Sequence, residues 1–114
     1  MNKRISWVKQ ARKAYLGFPD PVIDDMDAAL FAAARGERTG TVKQMKHLGL
    51  GVFEIALRYR KDAYRTVYCA EIDNDIWVVH AFQKKSNKGI ATPKPDIDVI
   101  RLRLKRLKEQ LGDG

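Results

Sequence analysis

Three lysines stand where a polypeptide delivers positive charge to phosphate most effectively. The stretch from Val78 to Asp98 reads VVHAFQKKSNKGIATPKPDID. An apolar strand over Ile76–Phe82 passes into Gln83-Lys84-Lys85, then into a Ser-Asn-Lys-Gly loop that holds Lys88. Thr92-Pro93 then opens a basic amphipathic helix. Lysines between a strand end and a helix start add their charge to free backbone N–H groups and to the positive end of the helix dipole. The expected ligand of this segment is an RNA backbone.

The elements that must position those lysines are legible in the same way. Arg4–Val8 has the β-branched and aromatic residues of a short strand, and Lys9–Leu16 fits one or two basic helical turns that Gly17-Phe18-Pro19 ends. Asp20 is placed as an N-cap, with Pro21 at the first helical position and Asp24 and Asp25 near the positive helix start. Val22, Met26, Ala29, Leu30 and Ala33 recur at helical spacing, which predicts one buried face, and Gly36 supplies the stop. Glu37–Gly51 reads as loop, with at most one short turn within Val42–Leu48. Val52–Arg60 alternates, Phe53, Ile55, Leu57 and Tyr59 against Glu54, Ala56, Arg58 and Arg60. Reversals at Lys61-Asp62 and Asp73-Asn74-Asp75 lead into strands over Ala63–Ile72 and Ile76–Lys84, an antiparallel meander. A last helix over Pro93–Leu111 aligns Ile97, Ile100, Leu104, Leu107 and Leu111, with Pro95 tolerated in its first turn.

The expected fold is α+β. A small antiparallel sheet, the N-terminal strand plus the meander, carries two N-terminal helices and one C-terminal helix on one face and leaves the other face for a ligand. Arg58, Arg65 and the lysines at the end of the last strand are expected on that open face. A chain of 114 residues, 45% hydrophobic and 32% charged, fits one domain over 1–114. Cys69 is the single cysteine, so no internal disulfide forms, and with only His47 and His80 beside it no structural metal is expected. No apolar run approaches the ~20 residues of a membrane span, and no signal segment opens the chain. A cytoplasmic protein without membrane attachment or cofactor is expected.

The net charge of +8, with a pI near 9.8, favours a polyanionic partner. Its distribution is uneven: acidic residues crowd into Asp20–Asp27, and basic ones into Arg58–Arg65 and Lys84–Arg106.

Several runs together carry a family resemblance. Val52-Phe53-Glu54-Ile55, Tyr64-Arg65-Thr66-Val67-Tyr68 and, most specifically, His80-Ala81-Phe82-Gln83-Lys84-Lys85-Ser86 through Gly89-Ile90-Ala91-Thr92-Pro93 resemble the RelE/HigB-like toxins of type II toxin–antitoxin pairs. Phe18-Pro19 and Lys46-His47-Leu48-Gly49 fit as well, so the resemblance, to the phage-related HigB-like branch, covers nearly the whole chain. It implies a RelE-like fold and a ribosome-dependent mRNA endoribonuclease that inhibits translation. It also implies a cognate antitoxin, often one with a helix-turn-helix domain, that holds the enzyme inactive.

Metal-free RNA cleavage uses the ribose 2′-OH against its own 3′-phosphate and leaves a cyclic phosphate and a 5′-hydroxyl. One proton must be removed, one supplied, and the charge of the phosphorane stabilised. Arg58 and Arg65 are assigned to that charge, because guanidinium grips phosphate through two parallel hydrogen bonds, with a solvated strand face paired to Glu54 or Glu71 as the rival role. Lys84 or Lys85 is the candidate base, since a lysine crowded by cations gives up its proton more readily. Lys84 is favoured; Lys85, Lys88 and Lys94 are expected to hold flanking RNA, and Tyr64 and Tyr68 either stack on a base, the role carried forward for Tyr68, or pack the sheet. His80 is a candidate acid, with a packed, hydrogen-bonded role as its rival because it shares strand parity with Val78 and Phe82. Members of the superfamily often carry a tyrosine or histidine on or after the last helix, and Ile97–Gly114 has neither. Two other classes therefore stay open: a ParE-like toxin that binds a protein such as gyrase, and a basic nucleic-acid-binding regulator without chemistry.

Overall fold

The computed structural model describes residues 2–84 and 91–111. In chain order these form β1 (Ile5–Trp7), α1 (Lys9–Leu16), α2 (Asp20–Ala34), β2 (Val42–Gln44), a 3-10 turn over Lys46–Leu48, β3 (Val52–Tyr59), β4 (Asp62–Ile72), β5 (Asp75–Lys84) and α3 (Lys94–Gln110).

The spacing of apolar residues in α2 does what it predicts. Val22, Met26, Ala29, Leu30 and Ala33 are all buried against the sheet, where each of the larger side chains contributes ~1.5–3 kcal/mol. Pro19, not Asp20, takes the N-cap position, so Asp20 is the acidic residue of the first turn and Pro21 sits one place further in than expected. At the other end Gly36 adopts φ +83°, the left-handed conformation that releases the chain after the Arg35 cap.

The sheet departs from expectation in three respects. It has five strands in the order β1-β5-β4-β3-β2, because Val42–Gln44, expected as loop, pairs antiparallel with Phe53–Ile55. It is mixed, because β1 runs parallel to β5, with Ile5 opposite Ile76 and Trp7 opposite Val78. From that edge α1 and α2 carry the chain to β2 at the other.

The third departure matters most: helices cover both faces. One core joins α1 and α2 to Ile55, Tyr64, Tyr68, Ile76, Val78 and Ala81. The other joins Ile100, Leu104 and Leu107 of α3 to Val52, Val67, Cys69 and Val79, with Leu48 and Met45 closing it. Neither face is wholly open. Leu111, expected on the α3 stripe, lies past the last turn and is 38% exposed.

A bulge in β5 separates the two faces locally. Val67 pairs with His80 but Tyr68 pairs with Val78, so Val79 is the extra residue. Val78 therefore faces α1 and α2, whereas His80 and Phe82 face the α3 side, and the parity expected between Val78 and His80 is broken.

Candidate functional site

Strand register, read across β3, β4 and β5, brings the cationic candidates together. Arg58 lies opposite Ala63, which lies opposite Lys84; Ala56 opposite Arg65, opposite Phe82; Glu54 opposite Val67, opposite His80. Cross-strand partners share a face, so Arg58, Arg65, Lys84 and His80 occupy one nine-residue patch on the α3 side. Two small side chains, Ala56 and Ala63, lower the surface between the charges. A groove of about 320 Å³ results, lined by Lys43, Glu54, Ala56, Arg58, Ala63 and Arg65.

Within the patch the cations differ in what holds them. Arg58 is exposed. Lys84 is half-buried and donates from Nζ to the Ala91 carbonyl at 2.8 Å, which ties the end of β5 to the segment before α3. Arg65 is buried, with Nη1 3.4 Å from Glu54 Oε1, and Glu54 is itself only 2% exposed. The carboxylate's second oxygen accepts from Thr92 Oγ1 at 2.7 Å. Glu54 thus joins the groove floor to the residue preceding the N-cap of α3. The ion pair with Arg65 is one that the sequence offered; the burial of Glu54 and the hydroxyl that reaches it from 38 residues away are not legible in strand alternation. Arg65 Nε is buried without a hydrogen-bond acceptor among the described residues, a donor left over inside a cationic groove.

His80 is clamped on both ring nitrogens. Arg103 Nη1 lies 3.2 Å from Nδ1, and guanidinium only donates, so Nδ1 accepts and the ring proton sits on Nε2, 2.7 Å from Asp96 Oδ1. The same Arg103 nitrogen donates to the Val79 carbonyl at 2.9 Å, satisfying an oxygen beside the bulge. The ring also stacks on Phe82. Neither Asp96 nor Arg103 was singled out from sequence. Arg103 falls on the charged side of the α3 stripe, yet it reaches the bulge through the Val79 carbonyl and His80 Nδ1.

The remaining expectations divide. Tyr68 is on the opposite face, 1% exposed, stacked on Phe53 at 5.4 Å. Burial pushes its hydroxyl pKa up to about 12. It has no ring face for a base, which corrects the RNA-stacking role assigned from sequence. Lys94 is exposed in the first turn of α3 and pairs with Asp98 at 3.1 Å. Lys85 and Lys88 lie outside the described residues.

Comparison with known proteins adds family and fold. The family described as "Phage derived protein Gp49-like" matches residues 13–105. No curated protein matches the chain. Among solved structures, an Escherichia coli toxin RelE carrying two arginine-to-alanine substitutions, in the free state, superposes with a TM-score of 0.61 at 19% identity, over 94% of this chain and 99% of that one. The isolated Escherichia coli RelE toxin gives 0.57 at 19% identity, over 91% and 97%. The fold is RelE-like.

Proposed function

The chain belongs to the Gp49-like family of phage-derived proteins, and from that membership, the RelE-like fold and the groove we propose that it is the toxin of a type II toxin–antitoxin pair. It acts as a metal-independent endoribonuclease that cuts mRNA on the ribosome and inhibits translation, and a cognate antitoxin holds it inactive. The observation that carries the reading is the convergence of Arg58, Arg65 and Lys84 on one sheet face around a groove floored by alanine.

In this reading the scissile phosphate enters between Arg58 and Lys84. Lys84, as the neutral amine, takes the proton of the 2′-OH as the 2′-oxygen attacks phosphorus; the bond to the 5′-oxygen breaks and that oxygen takes a proton from water, giving a 2′,3′-cyclic phosphate and a 5′-hydroxyl. Arg58 meets the charge that accumulates on the non-bridging oxygens, and such a donor is worth ~10²–10³ in rate. Arg65 is held by Glu54 beneath the groove and adds its positive charge to the site from below. His80 is assigned to holding α3 on the sheet, since donating its Nε2 proton to a leaving group requires breaking the bond to Asp96.

Induction of the chain in a bacterial host, with mapping of new 5′ ends on mRNA, tests this. Growth arrest with cuts inside translated frames, lost in Lys84→Ala, supports the reading. Arrest with intact mRNA overturns it in favour of a protein target such as gyrase. No arrest leaves a nucleic-acid-binding regulator.

A further inference from the structure

On the far side of α3 from the cationic groove lies a second concavity of about 340 Å³, between the β1–α1 junction and the last turns of α3. Its apolar floor is Trp7, Trp77 and Leu107; its rim carries Lys9, Arg103 and Arg106. No carboxylate lines it among the described residues. Trp77 Nε1 is buried and has no acceptor among the described residues. An apolar floor with two aromatic rings, a cationic rim and an unmet N–H donor matches an extended or helical peptide that inserts apolar side chains and presents carboxylates.

A nucleic acid strand suits the concavity less well. Trp7 is already engaged, edge-on to Tyr15 at 4.8 Å between centroids and beneath the Arg12 guanidinium at 5.9 Å. Little of its π face is left for a base, whereas aliphatic side chains need no free face.

We propose that this groove is the docking site of an acidic, apolar segment of the antitoxin, and that Arg103 couples it to the cationic groove. The proposal rests on the toxin reading above. Arg103 lines the docking groove and at the same time donates to His80 Nδ1 and the Val79 carbonyl. A partner carboxylate that recruits this guanidinium weakens its hold on His80 and with it the seating of α3. The partner thereby acts on the RNA site from behind α3, leaving Arg58 and Lys84 uncovered.

The two tryptophans of the chain both line this groove, so intrinsic fluorescence reports its occupancy directly. A library of random dodecapeptides is selected on the intact protein, and the enriched peptides are then titrated against Arg106→Glu. Expected are enriched peptides rich in Asp or Glu alongside Leu, Phe or Trp. They shift tryptophan emission on titration and bind Arg106→Glu at least about tenfold more weakly, as reversal of a rim charge requires. Arg106 is exposed, so that variant is expected to keep its fold, and circular dichroism verifies it.

Enriched peptides without carboxylates, or with equal affinity for Arg106→Glu, overturn the proposal. So does a single-stranded U12 RNA that shifts tryptophan emission in the wild type and not in Arg106→Glu. The measurement is repeated in Lys84→Ala, where groove binding is expected unchanged, so failure of the ribonuclease reading and failure of the docking site appear in separate assays.

Discussion

The two faces of one sheet are built on different rules. Toward α1 and α2, β3, β4 and β5 present Ile55, Tyr64, Tyr68, Val78 and Ala81 to a closed apolar core in which Met26 and Leu30 are almost wholly buried. Toward α3, the same strands bury Glu54, Arg65 and His80 among apolar neighbours and join them to Thr92, Asp96 and Arg103. The first face secures stability chiefly by burial of apolar side chains. The second accepts desolvated charge, which seldom adds net stability. Two members of this network, Glu54 and Arg65, line the cationic groove.

That contrast is broken most forcefully at the buried ion pair. Arg65→Ala or Glu54→Ala leaves the other charge unpaired in the interior and is expected to cost ~3–5 kcal/mol in chemical denaturation. The joint Glu54→Gln, Arg65→Met protein is expected to recover most of that loss while failing to cleave RNA. A joint protein with full cleavage would reduce the pair to a structural device. Loss of cleavage in Arg65→Ala alone therefore says little about chemistry.

On the apolar face, Ile55→Ala is expected to cost ~2–5 kcal/mol through transfer and cavity effects, with cleavage per folded molecule unchanged. If cleavage falls more than folding does, the faces are coupled and the division fails.

The same face makes the protein sensitive to alkali. Burial raises the Tyr68 hydroxyl from 10.0 to about 12, and burial together with the Asp27 contact at 2.5 Å raises Tyr15 further. Because the folded values lie above the unfolded one, this stability is intact below pH 10 and is lost as pH rises from 10 through the folded values. For Tyr68 the loss is ~2–3 kcal/mol. Phenolate absorbance is expected to rise together with loss of secondary structure, not before it.

Smallest is the clamp: Asp96→Asn is expected to cost ~1–2 kcal/mol, by loosening the first turn of α3. Faster hydrogen exchange confined to α3 and the end of β5 is its signature.

How much could be read from the chain beforehand follows the same division. The α2 stripe, the β3–β5 meander and the α3 stripe through Leu107 are periodic, and periodicity is local information. The parallel pairing of β1, the pairing of Val42–Gln44 and the placing of α3 on the other face depend on contacts that no local pattern encodes. The candidate site was legible as a set of cations, because Arg58, Arg65 and Lys84 stand on strands whose hairpin register is set by short turns. Its supports were not. Glu54 reads as a solvent-facing residue in an alternating strand, and the bulge at Val79 that re-aims His80 has no signature in VVHAF.

The central claim, that the α3-side patch cleaves RNA, is tested most directly by single-turnover cleavage of mRNA on programmed ribosomes. Wild type, Arg58→Ala and Lys84→Ala are compared with Ile55→Val as a control on the other face, and product ends are identified. Expected are fragments ending in a cyclic phosphate and a ~10²–10³-fold slower rate for each cation variant, with the control within a few-fold of wild type. Cleavage by Arg58→Ala and Lys84→Ala at the wild-type rate, or no cleavage by the wild type, contradicts it.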